Sequence, residues 1–193
     1  MKKPNKQQFK AIKNLFLKRT GIKIRNSLKW YNYLLKRQAV NLLKSRGIQN
    51  AKEFLSDRAM VMKIGKRKII LHPGPLDASQ PIRELCMLTH ENTHFVQMSR
   101  WKLPVYLSKY LTKLGRMDIE VEACASEIPV RSYFGKYRRP RDRFTDQWGD
   151  IYNVSGKYVK YAKEKYIDRE VTMNVDRYRS AKVMLDCIKE VMG

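Results

Sequence analysis

Apolar side chains recur with a helical period in the first part of the chain. In residues 5–18 they fall on one face and stop before Gly21; they are Phe9, Ile12, Leu15 and Phe16. The same period predicts a second helix over 27–45 and a short third helix over 50–57. We therefore expect residues 1–57 to form a helical N-terminal part.

The pattern then changes to that of a β-hairpin. Two apolar runs, 59–63 and 68–72, flank a turn at Gly65-Lys66, and the segment ends at Pro73-Gly74-Pro75. Because the second run holds Ile69, Ile70 and Leu71, we expect it to be buried. This leaves 59–63, or a strand not evident in the sequence, as the edge of the sheet.

Helical periodicity returns after the hairpin. The predicted helices span about 80–100, 104–114, 117–128 and 172–191, whereas 130–156 is interrupted by Pro and Gly and is predicted to be rich in loops. No segment has the composition of a domain linker. The sequence thus predicts a single, mainly helical α+β domain, in which a basic part (1–57) precedes a second part (58–193).

Positive charge is unevenly distributed. The chain has 41 Lys and Arg against 18 Asp and Glu, a net charge of +23, and residues 1–52 hold 15 basic residues and no acidic one. A second basic run, 131–143, supplies the candidate nucleic-acid contacts Arg138, Arg139, Arg141 and Arg143. Such a surface favours nucleic acid or another polyanion as a partner; the competing interpretation is an ordinary solvated surface.

Cysteine usage and hydropathy indicate the compartment. The three cysteines are an odd number without CxxC spacing, which disfavours disulfides and a thiolate zinc site. Neither a signal peptide nor an apolar run long enough to span a membrane is evident. We expect a cytoplasmic protein with reduced thiols and no membrane partner.

A metal-ligand motif lies in the helix predicted over 80–100. His90 and His94 are four residues apart, so both imidazoles share one helix face and can reach a single ion. Glu91 lies beside this face, where its carboxylate can act as a general base toward water. The competing interpretation is a pair of core histidines. We predict one zinc ion bound by His90 and His94.

A third zinc ligand is expected on the helix over 117–128. Glu120 and Glu122 are two residues apart and point in different directions, so only one of them can be the ligand. Ala123 lies on nearly the same face as Glu120 and allows close helix approach. We favour Glu120 over Glu122 and regard Glu127 and Asp118 as remote alternatives.

These residues carry a family resemblance. His90-Glu91-x-x-His94 followed by Glu120-x-x-Ala123 resembles the gluzincin metallopeptidases, and the longer string through residues 84–127 is similar to small bacterial and phage proteins of this type. The resemblance implies a zincin-like fold, a bacterial or phage-encoded protein, and hydrolysis of peptide bonds by zinc-activated water with Glu91 as the base. It also implies that the edge strand near 59–63 pairs with an extended protein or peptide substrate.

Several assignments stay open. The group that stabilises the transition state could be any of Tyr106, Tyr110, Tyr133 and Tyr137, and Gln97 and Arg100 could be supporting residues or merely surface positions. His72 is interpreted as a strand-end histidine rather than a functional one. The alternative to a peptidase acting near nucleic acid is a basic nucleic-acid-associated or phage-particle protein with a structural or vestigial zinc site.

Overall fold

The secondary structure is mainly helical with a small sheet. The computed structural model describes residues 2–26, 59–135, 156–171 and 178–193, and the single residues Arg37, Asn41 and Lys44. Within them lie α1 (Lys6–Thr20), β1 (Ile22–Asn26), β2 (Met60–Ile64), β3 (Arg67–His72), α2 (Pro81–Leu111), α3 (Lys113–Ser126), α4 (Ile128–Tyr133), α5 (Gly156–Val171) and α6 (Arg179–Met192). The mainly helical α+β class is confirmed.

Helix α1 has a capped start and a sharp end. The Asn5 side chain accepts a hydrogen bond from the Gln8 backbone N–H, and the Gln8 side chain accepts one from the Asn5 N–H, so two otherwise unpaired donors are satisfied. Gly21, with φ 68°, ends the helix in the left-handed conformation. Strand β1 starts at the next residue, so the buried face of α1 is followed directly by the sheet.

The sheet has the order β1-β3-β2, with β3 in the centre. The predicted hairpin is present as antiparallel β2 and β3, whose two-residue turn begins at Gly65 with φ 57°. Strand β1, which the sequence pattern did not predict, pairs in parallel with β3, Ile22 lying opposite Lys68. Among the described strands, β1 and β2 are therefore the edges.

Some helix predictions need correction, and two predicted helices lie almost entirely outside the described residues. The helices expected over 80–100 and 104–114 form one element, Pro81–Leu111, interrupted at Lys102. The helix expected over 117–128 spans Lys113–Ser126 instead, and α4 (Ile128–Tyr133) runs into the expected loop, because Pro129 fits the first turn of a helix. Helix α5 was not predicted, and the last helix begins at Arg179 instead of 172. The predicted helices 27–45 and 50–57, apart from Arg37, Asn41 and Lys44, and most of 130–156 lie outside the described residues.

One apolar core links the N-terminal part to the helix with the zinc motif. Phe9, Ile12 and Phe16 of α1, Ile70 of β3, Leu88 and Phe95 of α2, and Met184 and Ile188 of α6 belong to the same cluster. A second cluster joins α3, α5 and the start of α6. No described helix is long and apolar enough to cross a membrane. The core therefore fixes one side of α2 and leaves its histidine face toward α3.

Candidate metal centre

Helices α2 and α3 bring three ligand atoms together. His90 Nε2 lies 3.2 Å from His94 Nε2, and Glu120 Oε2 lies 3.5 Å from the first and 3.9 Å from the second. The i, i+4 spacing aligns the two imidazoles, and the packing of α3 on the same face of α2 supplies the carboxylate. His94 and Glu120 are each only 5% exposed. These atoms belong to the three residues that we predicted from the sequence as metal ligands.

The three atoms match the dimensions of a zinc site. Tetrahedral zinc with bonds of about 2.0–2.1 Å would hold its ligand atoms about 3.3–3.4 Å apart. The three observed separations, 3.2, 3.5 and 3.9 Å, bracket that value, and two imidazoles with one carboxylate are a common donor set for zinc. Small adjustments of the Glu120 side chain would complete the fit.

The other nitrogen of His90 is held by a carboxylate that sequence reasoning treated as remote. His90 Nδ1 lies 3.2 Å from Glu127 Oε1, while the second oxygen of Glu127 accepts a 2.8 Å hydrogen bond from Arg131. A carboxylate accepts the Nδ1 proton, which leaves a lone pair on Nε2. Glu127 therefore orients His90 from the side opposite to Glu120; no short-range sequence spacing links the two residues.

His94 is oriented by a buried amide. The Gln97 side-chain N–H donates to the Ile119 carbonyl at 2.9 Å, which turns Gln97 Oε1 toward His94 Nδ1, 3.0 Å away. Nδ1 therefore carries the proton, and the lone pair of His94 is on Nε2. Gln97 is fully buried. Two interpretations were left open for Gln97, and the structure favours a residue that orients His94 over a surface position.

Two imidazole lone pairs and one carboxylate thus converge on one point. A positive charge at this point would be stabilised by all three groups. Burial opposes protonation of His90, but contacts with Cys124, Glu120 and Glu127 outweigh it and raise the pKa of this imidazole well above its usual value. Burial lowers the pKa of His94, with Glu120 acting in the opposite direction. In the metal-free protein a proton on His90 supplies the charge, and a metal ion would compete with that proton.

The alternative carboxylates have other partners. Glu122 accepts two hydrogen bonds from the Arg100 guanidinium, at 2.6 and 3.3 Å. Asp118 accepts one from Tyr161 at 2.8 Å and pairs with Lys165 of α5. Neither carboxylate belongs to a potential metal-binding group among the described residues. Arg100, the other residue left open, thus lies against Glu122 rather than against a histidine.

A second group of possible ligands uses the opposite side of His90. Cys124 Sγ lies 3.9 Å from His90 Nδ1, next to Glu127. Burial raises the pKa of the Cys124 thiol, which disfavours the thiolate that zinc requires. Glu127 is already engaged by His90 and Arg131. The group is therefore better explained as hydrogen bonding around His90 than as a metal site.

Glu91 and Tyr106 lie beside the ligands. Glu91 follows His90 on α2, about 100° around the helix axis, and is 8% exposed. The Tyr106 hydroxyl is 3.4 Å from His94 Nδ1. Burial, with contributions from Glu120, Tyr110 and Glu91, raises the pKa of Tyr106, so its hydroxyl stays protonated. A buried carboxylate that follows the ligand His90 in the sequence and a neutral phenol near the ligand His94 therefore lie next to the site.

The remaining candidates are distributed elsewhere. His72 Nδ1 lies 2.6 Å from the Gly74 carbonyl, as expected for a strand-end histidine. Tyr110 stacks on Tyr106, with ring centroids 6.2 Å apart, and Tyr133 packs edge-on against Phe134. The other predicted residues lie outside the described part of the chain; they are Tyr137, Arg138, Arg139, Arg141 and Arg143.

Asn92 is a polar residue on the apolar side of α2 that the sequence did not explain. Its side-chain N–H donates a 3.0 Å hydrogen bond to Ser180 Oγ, and both residues are buried. This bond joins α2 to α6 on the side of the helix opposite to the histidines, since Asn92 lies between His90 and His94 in the sequence. Asn92 therefore helps to fix the helix that carries the site.

Comparison with known proteins gives no relative. The sequence matches no protein-family model, no curated protein and no solved structure. The function must therefore be argued from the site itself.

Proposed function

We propose that the chain is a zinc-dependent peptidase with His90, His94 and Glu120 as metal ligands and Glu91 as the general base. The observation that carries the proposal is the convergence of two imidazole lone pairs and a carboxylate beside Glu91. Bound zinc would polarise a peptide carbonyl and increase the acidity of water. The gluzincin resemblance agrees with the same assignment.

In this proposal the chain's own groups position ligands and transfer protons. Glu91 takes a proton from the attacking water and returns it to the leaving amine. Glu127 and Gln97 keep the two imidazoles in the tautomer that directs Nε2 to the metal. Tyr106 remains protonated, and its hydroxyl lies 3.4 Å from His94 Nδ1. Strand β2, an edge among the described strands, is the proposed docking site for an extended peptide.

The test combines turnover with metal content. Zinc-loaded protein should cleave unfolded casein or a quenched peptide library. Glu91→Gln should lower kcat by roughly 10²–10⁴-fold with its zinc content unchanged. The matched control is Glu84→Gln, a carboxylate on the same helix that contacts none of the ligands and should leave turnover intact. Zinc binding without cleavage by the wild type would favour the alternative, a protein in which zinc is structural.

The charge supports action near a polyanion. The net charge is +23, and the described part of α1 presents the exposed residues Lys6 and Lys10 with no acidic residue in its sequence. We propose that nucleic acid is one such polyanion. Affinity for duplex and single-stranded DNA should fall steeply as salt increases. Binding that does not change between low and physiological salt would contradict this proposal.

A further inference from the structure

Exposed apolar side chains are concentrated in one short segment. Among the described residues, five large hydrophobic side chains are classed as exposed, and four of them lie between residues 105 and 114: Val105 (48%), Leu107 (45%), Leu111 (37%) and Leu114 (47%). Isolated exposed hydrophobic residues are ordinary, whereas a cluster marks a contact surface. We call residues 104–114 the apolar segment.

The backbone sets this segment apart from the first half of α2. Lys102, with φ 58° and ψ 152°, breaks the helix, and Pro104 starts its second half. There the inward face is occupied by Tyr106, which is 4% exposed and stacks between Trp101 and Tyr110 at centroid distances of 6.4 and 6.2 Å. The inward face is thus filled by aromatic rings, and the exposed leucines remain available.

The exposed side chains surround the helix rather than form one stripe. Val105 and Leu107 lie about 100° to either side of the inward Tyr106, and Leu111 repeats the direction of Leu107 one turn later. Leu114 follows in the first turns of α3. A partner must therefore cover both flanks of the helix at once.

The same stretch is cationic. Between Glu91 and Asp118 the sequence contains no acidic residue. Lys102, Lys109 and Lys113 are exposed, and no ion pair joins any of them to another described residue. A second copy of this chain would bring like charges together, so the complementary partner is anionic.

We propose that the apolar segment binds the surface of an anionic lipid membrane. Leu107, Leu111 and Leu114 enter the boundary between headgroups and acyl chains, while Lys109 and Lys113 lie near the lipid phosphates. A fluid lipid layer has no fixed shape and can cover both flanks of the helix, whereas a folded acidic protein would need a matching groove. A peripheral contact requires no spanning helix, but it departs from the sequence-based expectation of no membrane partner. It is also independent of the peptidase proposal.

The test is sedimentation with vesicles of about one-third phosphatidylglycerol in phosphatidylcholine, using the full chain. Leu107→Gln/Leu111→Gln should weaken binding roughly tenfold or more, because two inserted side chains are lost. The matched control is Ile64→Gln, a somewhat more exposed side chain (51%) at the hairpin tip, and this variant should bind as the wild type does. The comparison is made at raised salt, where the attraction from the overall charge is screened.

A charge-reversal pair tests the proposal if the leucine variant fails to fold. Lys109→Glu/Lys113→Glu should lower binding more than Lys6→Glu/Lys10→Glu, a pair of exposed lysines with the same spacing on α1. Three results would overturn the proposal: no binding of the wild type to the anionic vesicles, equal effects of the two charge-reversal pairs, or binding to a soluble acidic peptide but not to vesicles.

Discussion

The two sides of helix α2 bury different kinds of side chain. Toward α1, α6 and the sheet, the packing is mainly apolar and includes Phe16, Leu88, Phe95 and Met184, with the Asn92–Ser180 hydrogen bond as a polar contact. Toward α3, the interface buries Gln97, Glu120, Glu122 and Arg116 together with a 2.8 Å hydrogen bond from Thr93 to Ser126. The first side gains stability simply by excluding water. The second must satisfy every polar group that it buries.

The difference indicates what each side is for. Burying carboxylates and imidazoles opposes folding unless each finds a partner, so a fold that needed only stability would gain more from leucines at these positions. The ligand triad, with two imidazoles and one carboxylate converging on one point, has the donor set of a cation site. We therefore expect the apolar side to determine stability without metal and the polar side to determine metal affinity.

Truncation in the apolar side should have the largest effect. Phe16 is fully buried, so Phe16→Ala should lower the free energy of unfolding by about 3–5 kcal/mol. Zinc affinity of the folded variant should be unchanged. Urea unfolding with and without chelator measures the first quantity, and a zinc titration measures the second. A Phe16→Ala variant with full stability and weak zinc binding would reverse the proposed division.

Replacing each of two glutamates on α3 by glutamine, one at a time, should distinguish the metal ligand from its neighbour. Glu120→Gln should weaken zinc binding by more than about 100-fold, since loss of an outer partner alone reduces affinity by about 10–100-fold. Glu122→Gln, two residues away and paired with Arg100, should bind zinc within a few-fold of the wild type. Equal losses for the two variants in competition with a chelator would contradict the assignment of Glu120.

Removal of the carboxylate behind His90 should have an intermediate effect. Glu127→Ala should weaken zinc binding by about 10–100-fold, because His90 loses the acceptor at 3.2 Å that fixes its tautomer. Glu127→Gln should recover part of the affinity, because its amide oxygen can still accept the Nδ1 proton. If both variants bind zinc like the wild type, Glu127 does not orient the ligand.

The smallest expected effect concerns Glu84, near the start of α2. Its Oε2 has no hydrogen-bond partner among the described residues, and burial raises the pKa of Glu84. The stability that protonated Glu84 contributes is therefore complete below the pKa of 4.5 that the group has in the unfolded chain. This stability is lost as the pH rises through the higher pKa of the folded state. Glu84→Gln should be roughly 1 kcal/mol more stable than the wild type at pH 7.

Unfolding measured as a function of pH checks this prediction, with Glu164→Gln, an exposed carboxylate of α5, as the control. The Glu84→Gln and wild-type curves should converge in acid. A difference between them that does not vary with pH would contradict the stated cause.

Local spacing explains which parts of the fold and site were predictable. The face of α1, the hairpin turn at Gly65 and the pairing of His90 with His94 each follow from residues within a few positions of one another. Glu120 required only one further assumption, that a neighbouring helix with a small residue packs on the histidine face.

The features that were missed depend on distant or sparse signals. The five-residue strand β1 pairs with β3, far along the chain, and its two isoleucines alternate with Lys23 and Arg25. In α5, the described buried positions are Val159 and Ala162 among tyrosines and lysines, too few for a clear helical stripe. The contact between Glu127 and His90 joins residues 37 apart, and no local pattern predicts it.

The central claim is that His90, His94 and Glu120 form one metal site, and X-ray absorption at the zinc edge tests it most directly. For stoichiometrically loaded protein, we expect only nitrogen and oxygen neighbours at about 2.0–2.1 Å, with the multiple scattering of two imidazoles. A sulfur neighbour at about 2.3 Å would show that Cys124 is a ligand and would contradict the assignment of His90, His94 and Glu120 as the ligand set.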